Sequence, residues 1–322
     1  NNNTTMAKRQ RSLQKKRERL NKTRNKKKGI SAEETRGVLY DGLEDILSLG
    51  EGDSMYKANF FPTETEKDDI FLNILNEAFF EQMFFFSHGN NEDEEVKPIP
   101  RLITAQTYKS DEASPIYRMP GCNERNIGTT KWTPTVAKVR DAVSEHYGQR
   151  FNHCVITLYR NGQDTLGSHK DKLLDLQHNS LILSVSFGAP RLIWFKGSED
   201  SENHTVMLQS GSVLSIGPKT NLNYTHGIPR VEDLDAPRIS LSFRTIATKI
   251  NEKTNEIIGK GNKYQTKNYP FIRSYPNRKS YTKEVLKIVE SHEEKARLEL
   301  IKIREKVAEA IKEKREVAVP AA

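Results

Sequence analysis

The segment GSHKDKLLDL carries His169 and Asp171 two residues apart, and a His-x-Asp pair supplies two legs of a facial metal-ligand set. In an extended segment residues i and i+2 point to the same face, so both side chains can address one ion while Lys170 faces away. Imidazole nitrogen and carboxylate oxygen suit non-haem Fe(II), which takes two His and one carboxylate and keeps open positions. A third ligand has to come from another strand, and NYTHGIPR offers His226 just after a short apolar stretch. Each piece also has an ordinary reading: a polar loop for the pair, a histidine in a turn for His226.

The stretch PRISLSFR shifts that balance. Alternation puts Arg238, Ser240, Ser242 and Arg244 on one face of a strand and Ile239, Leu241 and Phe243 on the other. Two inward guanidinium groups are costly without anions. Six residues at roughly 3.3 Å each set the two arginine Cα atoms about 20 Å apart, and both side chains reach back toward the midpoint. The gap left matches a short dicarboxylic acid such as 2-oxoglutarate, because the guanidinium fork pairs well with a carboxylate. Viewed alone, the segment also reads as an edge strand with two unrelated exposed arginines.

Such residues need a rigid scaffold. Hydrophobic types make up 35% of the 322 residues, yet they cluster between about residue 55 and residue 250, enough for a sizeable core. The length allows two domains or one domain with tails. A net charge of +8 favours a polyanionic partner, either nucleic acid or an acidic membrane surface. Two cysteines, Cys122 and Cys154, are too few for a disulfide framework or a structural zinc cage and fit a reducing compartment, cytosol or nucleus. The longest apolar runs, such as AFFEQMFFF, fall short of the roughly 18 residues a membrane helix needs. The amino end also lacks the apolar core of a secretion signal.

Along the chain, residues 7–28 hold about a dozen Lys and Arg against one acid, Glu18. They form a basic arm drawn to phosphates or to a nuclear import receptor, or simply a solvated tail. VLYDGLEDILSLG predicts a short helix ending at Gly50 and Gly52. From Met55 come a short strand, a stop at Pro62 and an amphipathic helix with Ile70, Ile74 and Phe79 at helical spacing. NNEDEEVKP reads as an acidic loop over 90–98 and PRLITAQTY as a strand. SPIYRMPGCNERNIGTTKW, about twenty residues with little periodicity, has the length of a binding lid rather than a connector. TPTVAKVRDAVSEHYG is a helix capped at Thr133, opened by Pro134 and closed at Gly148.

HCVITLYRNG, SLILSVSFG, RLIWFKG, HTVMLQSG, SVLSIGP and RISLSFRTI then read as strands separated by turns, which predicts a barrel or two-sheet sandwich. Residues 283–317 form a long helix of mixed charge. Its apolar stripe, which includes Leu286, Val289, Leu300, Ile303, Val307 and Ile311, suits a coiled coil, a protein contact or a brace against the core.

From about Met55 to Lys249 these motifs resemble the AlkB-type dealkylases of the Fe(II)/2-oxoglutarate-dependent oxygenase superfamily. The likeness runs in the family's order through PIPRLITAQ, PIYRMPG, FNHCVITLYRNGQDTLGSHKD, SLILSVSFGAPR, QSGSVLSIG, YTHGIP and PRISLSFRTI. IIGKGNKYQTK further resembles the tail that follows the core in a subgroup of members. The resemblance implies an α+β fold with a double-stranded β-helix (jelly-roll) core at 55–250 and flanking helices. A basic, mostly disordered N-terminal arm at 1–54 and an extension at 251–322 with the long C-terminal helix complete the expected organisation.

It also implies His169, Asp171 and His226 as ligands of Fe(II), and 2-oxoglutarate held by Tyr159, Arg238 and Arg244 with Thr157 and Ser240 beside them. O2 is the implied oxidant of an N-alkyl carbon, and the adduct then breaks down to an aldehyde and the repaired base. Strands around Leu183, Val185, Leu214 and Ile216 are expected to keep water out. Tyr117 and Trp132 are candidates to stack on or hydrogen-bond an extruded base, or to pack the lid. Two departures stand out. Thr157 stands where many relatives carry Asn, and KLLD follows Asp171 where well-studied repair enzymes carry an acidic pair that helps read the base. Asp175 is a candidate to take over that polar role.

The leading expectation is an oxidative demethylase of alkylated nucleic acid, DNA ahead of RNA, working as a nuclear or cytoplasmic monomer away from membranes. An RNA demethylase or protein hydroxylase of the same superfamily and a catalytically silent nucleic-acid binder remain alternatives; the complete two-His, one-Asp, two-Arg set argues against the last. A basic arm that grips phosphates makes affinity fall steeply with salt. Deleting residues 1–30 is expected to flatten the slope of log affinity against log salt in titrations between about 50 and 200 mM.

Overall fold

The computed structural model describes residues 44–88, 94–118, 129–197, 203–265 and 281–318. In chain order they form β1 (Glu44–Leu47), β2 (Ser54–Lys57), α1 (Glu64–Glu77), β3 (Glu81–His88), β4 (Glu94–Thr107), β5 (Ala113–Pro115) and β6 (Thr129–Thr130). Next come α2 (Pro134–Tyr147), β7 (His153–Tyr159), β8 (Leu166–His169), β9 (Ile182–Gly188), β10 (Arg191–Lys196), β11 (His204–Leu208) and β12 (Ser212–Ile216). A short α3 (Pro218–Asn223) precedes β13 (Thr225–Ile228), β14 (Arg238–Arg244), β15 (Thr248–Asn251) and β16 (Ile257–Gly259), and α4 (Lys283–Ala318) follows.

The larger sheet has the order β1-β2-β12-β9-β14-β7-β4-β3, with β6 running parallel beside β4; the smaller has β11-β10-β13-β8, and β16-β15-β5 make a third. Strand alternation divides the larger sheet into two faces. On one, Ile156 and Leu158 of β7, Leu183 and Val185 of β9 and Leu241 and Phe243 of β14 pack with Ile74 of α1, Val139 of α2 and Leu300 of α4. On the other, Tyr159, Ile182, Leu214 and Ile216 meet Ile193, Phe195, Val206 and Ile228 of the smaller sheet. The register pairs Arg238 with Tyr159, Ser240 with Thr157 and Arg244 with His153, which puts this polar set in the space between the sheets.

Leu183 and Val185, expected around the reactive site, therefore face the helices instead; only Leu214 and Ile216 point inward. The helix expected in VLYDGLEDILSLG is replaced by β1, because Glu44–Leu47 completes the sheet edge against β2. Gly50, Glu51 and Gly52, at φ 53°, 62° and 79°, turn the chain between those strands. Residues 44–54 are thus strand β1, a turn and the start of β2, and residues 1–43 lie outside the described chain. Helix α1, capped by Thr63 whose side chain accepts from the Glu66 N–H, stops at Glu77. Phe79 falls beyond it and is 70% exposed, and the run that follows pairs with β4 as β3. Part of the expected acidic loop, from Glu94 on, is strand β4. Of the lid expected over SPIYRMPGCNERNIGTTKW, residues 119–128, with Cys122, lie outside the described residues.

Helix α4 braces the core. Ala296, Leu300, Val307 and Ile311 are buried in the same cluster as α1. Arg304 Nε donates to the Leu75 carbonyl at 2.8 Å, Lys314 meets Glu64 at 3.0 Å and Asp68 at 2.8 Å, and Arg315 meets Asp69 at 2.6 Å. Among the described residues no helix is long and apolar enough to cross a membrane. Leu300→Ala is expected to cost about 2 to 5 kcal/mol in urea unfolding. Leu298→Ala, on the exposed face of the same helix, is expected to cost less than about 0.5 kcal/mol.

Candidate active site

Strands β8 and β13 pair so that His169 sits opposite His226, with the ring centroids 4.5 Å apart. Asp171 follows β8 by two residues and closes the triangle, so one donor atom from each of the three residues lies within 4.8 Å of the others. His226 Nε2 stands 3.8 Å from Asp171 Oδ2. His169 Nδ1 donates to the Gly167 carbonyl at 2.9 Å, which fixes the tautomer and leaves the Nε2 lone pair free to face inward.

The Asp171 backbone is held by Asn221 of α3: its N–H donates to Asn221 Oδ1 at 2.8 Å, and Asn221 Nδ2 donates to the Asp171 carbonyl at 3.0 Å. Asp53 caps α3 in turn, accepting from the Lys219 N–H at 2.6 Å and the Thr220 hydroxyl at 2.6 Å. Asn221 escapes a reading by motif, since its partner lies 50 positions away.

One oxygen of Asp171 is already committed. Oδ1 accepts from Arg244 Nε at 3.0 Å and Nη2 at 2.5 Å, and from the Tyr117 hydroxyl at 2.8 Å. Burial by itself would raise this carboxyl; Arg244, then His226 and His169, outweigh burial and hold it well below the usual carboxylate range. Burial, reinforced by Asp171, pushes the Tyr117 phenol well up, so it stays a donor. Oδ2 remains for an ion.

Arg238, on the same face of β14 as Arg244, is placed differently. It is 1% exposed; Nη2 donates to Ser186 Oγ at 2.9 Å, while its Nε and Nη1 have no acceptor among the described residues. Its guanidinium lies 5.1 Å from the Tyr159 ring centroid, and Arg191 covers the same ring from 5.4 Å. Arg191 donates to the carbonyls of Asn161, Asp164 and Pro229; burial, then Arg238, pushes it down to about 10. Thr157, Tyr159, Ser240, Arg238 and Arg244 line one cavity of about 100 Å³ between the sheets together with His169, Asp171 and His226.

A sequence profile described as the 2OG-Fe(II) oxygenase superfamily matches residues 53–244. The chain belongs to the 2OG-Fe(II) oxygenase superfamily. The DNA oxidative demethylase ALKBH2 of Bos taurus is 37% identical over 123 residues, covering 36% of this chain and 44% of that protein. The human ALKBH2 shows the same identity and covers 47% of its own length. The alpha-ketoglutarate-dependent dioxygenase alkB homolog 3 of Bos taurus is 30% identical over 124 residues, 36% of this chain and 43% of that protein. The chain spans about half the length of the curated relatives it matches.

Two residues expected to touch substrate do not reach the cavity. Trp132 stacks at 6.4 Å on Phe243, on the helix-facing side of the larger sheet, beneath the Arg140 guanidinium at 4.7 Å. Asp175 is 1% exposed and bound to Arg118, so it is not open to a base. Tyr117 does reach the site, through Asp171.

Two buried imidazoles stay neutral. Burial, then His169, pushes His226 down to about 4, and burial, then Arg244 and Lys109, pushes His153 down to about 3. In the unfolded chain these rings protonate near 6.5, so between about 6.5 and 4 the unfolded state binds more protons and stability falls as pH is lowered. Metal-free protein is expected to lose stability across that window, on the order of a few kcal/mol, and His153→Gln to lessen the slope. Urea unfolding in chelator at a series of pH values measures it, and a flat profile would contradict two neutral buried rings.

Proposed function

We propose that the chain is an Fe(II)- and 2-oxoglutarate-dependent dioxygenase that removes N-alkyl groups from bases in nucleic acid, alkylated DNA ahead of RNA. The observation that carries this reading is a buried guanidinium with two unsatisfied nitrogens, Nε and Nη1 of Arg238, in the same cavity as two imidazoles and a carboxylate. The donor set fits the metal: His169, Asp171 and His226 offer two nitrogens and one oxygen, the ligand types of a facial ferrous site. The orphaned edge of Arg238 fits a carboxylate of 2-oxoglutarate. We read the two facing sheets as the double-stranded β-helix in which such sites are built.

When bound, iron, O2 and 2-oxoglutarate together supply the oxidation of the alkyl carbon, with release of succinate, CO2 and an aldehyde. The protein's own part is placement. His169 is aimed by its bond to Gly167, and Asp171 by Asn221, Arg244 and Tyr117. Arg238, backed by Tyr159 and Ser186, takes the co-substrate's carboxylate, with Thr157 and Ser240 on the same wall. Ile182, Ile193, Leu208 and Ile216 line the rest of the cavity and exclude water. The nucleic-acid assignment is supported by the identity to ALKBH2 and alkB homolog 3 and by the net charge of +8. A DNA substrate supports a nuclear location, with the cytoplasm as the second compartment of this reading.

The purified chain with Fe(II), 2-oxoglutarate and methylated oligonucleotides is expected to yield formaldehyde and succinate in equal amounts, with none from His169→Ala. Arg238→Ala is expected to raise the KM for 2-oxoglutarate by about tenfold or more, the loss of a charge-assisted pair. Single- and double-stranded DNA, RNA and a peptide run in parallel decide the substrate. Turnover with peptide alone, or oligonucleotide binding without succinate, would overturn the proposal.

A further inference from the structure

Residues 257–265, IIGKGNKYQ, lie beyond the stretch matched to the superfamily, which ends at residue 244, yet their bonds lead to the metal-facing carboxylate. Arg118 immediately follows Tyr117. Its side chain and that of Asp175 are 0% and 1% exposed, and Nη2 donates to Asp175 Oδ1 at 2.5 Å. Arg118 Nε and its main-chain N–H both donate to Oδ2, at 3.1 Å and 2.9 Å. The outer edge of the same guanidinium is taken by the C-terminal segment: Nη1 donates to the Tyr264 carbonyl at 2.8 Å and Nη2 to the Gly261 carbonyl at 3.1 Å. Lys260 Nζ donates to the carbonyls of Leu173 and Leu176, each at 2.7 Å, stapling the loop that leaves Asp171.

The neighbours Tyr117 and Arg118 thus bind two carboxylates four positions apart, Asp171 and Asp175, and the segment after the core closes over the pair. Gly261 admits no side chain. A Cβ there would lie 2.2 Å from Arg118 Nη2, 2.7 Å from Asp175 Oδ1 and 2.7 Å from Thr248 Oγ1.

We propose that residues 257–265 are a clamp that holds the Tyr117 hydroxyl on Asp171 Oδ1, which makes Arg118, Asp175, Lys260 and Gly261 positioning residues of the metal centre. The proposal rests on reading His169, Asp171 and His226 as the metal ligands. With Tyr117 and Arg244 both on Oδ1, Asp171 presents one oxygen, Oδ2, to an ion. If the clamp opens, Tyr117 lifts, Oδ1 loses a donor and the carboxylate is free to turn. Partners of this kind that orient a ligand commonly change metal affinity by about 10- to 100-fold.

The test is a double-mutant cycle on Mn(II) affinity in the full chain, followed by electron paramagnetic resonance of free Mn(II), with folding checked by circular dichroism. Gly261→Ala and Tyr117→Phe are each expected to weaken Mn(II) binding by about tenfold, and the double variant to bind no more weakly than Tyr117→Phe, because both act through one hydroxyl. Lys260→Met, which deletes no packing at the ion pair, is expected to weaken binding in the same direction and also to add nothing in the Tyr117→Phe background. It decides the matter if Gly261→Ala does not fold. An unchanged affinity in the folded single variants, or losses that multiply in the double, would overturn the clamp. Wild-type protein that binds Mn(II) no better than His169→Ala would instead overturn the metal reading itself.

Discussion

The ion pair between Asp171 and Arg244 is the contact on which the rest of the site depends. A carboxylate as buried as Asp171 costs several kcal/mol when it stands alone, and the cost is offset only by a partner of good geometry with further hydrogen bonds. Arg244 supplies two N–H groups and Tyr117 a third donor, all to Oδ1. That arrangement keeps Asp171 ionised, and it leaves Oδ2 beside His226 for a cation. It also has a consequence across the strand pair: His153, opposite Arg244 in the register, is kept neutral by burial and by that cation.

Both arginines of β14 face the inter-sheet space, but they are not equivalent. Arg244 is matched by a carboxylate of the protein, whereas Arg238 brings a charge with two unmet donors among the described residues. A cation buried in that state is tolerable only where an anion arrives from outside. The strand acts as a ruler, with Arg244 at one end matched to Asp171 and Arg238 at the other open to the co-substrate carboxylate that we propose it takes. Its opposite face, Ile239, Leu241 and Phe243, is locked into the core beneath the helices, so α4 stiffens the ruler without touching the cavity.

Rigidity around the site comes from several segments distant in sequence. Asn221 substitutes for a strand neighbour at the Asp171 backbone, and Asp53 holds the short helix that carries Asn221. Arg118 and Asp175 join the stretch that ends the described residues at 118 to the loop after Asp171. Asn221, Arg118, Asp171 and Asp175 are buried and hydrogen-bonded, with Asp53 half-buried behind them, and a satisfied polar network of this kind adds specificity instead of cost.

Much of this was legible from local periodicity. Alternation in RISLSFR and HCVITLY sorts inward from outward side chains, and the two-residue spacing of His169 and Asp171 puts them on one side of the chain. Periodicity is a property of the backbone over a few residues, so sequence alone determined which faces exist and which residue types occupy them. Tertiary structure decided which same-face groups are consumed and by what. Asp175 went to Arg118, 57 positions away, Asp171 to Arg244, 73 away, and Trp132 to Phe243. It also turned Glu44–Leu47 into an edge strand and ended α1 before Phe79, because pairing across a sheet outweighs helix spacing where a partner strand is in reach. Those choices depend on the closure of distant segments onto one another, a constraint that no window along the chain contains.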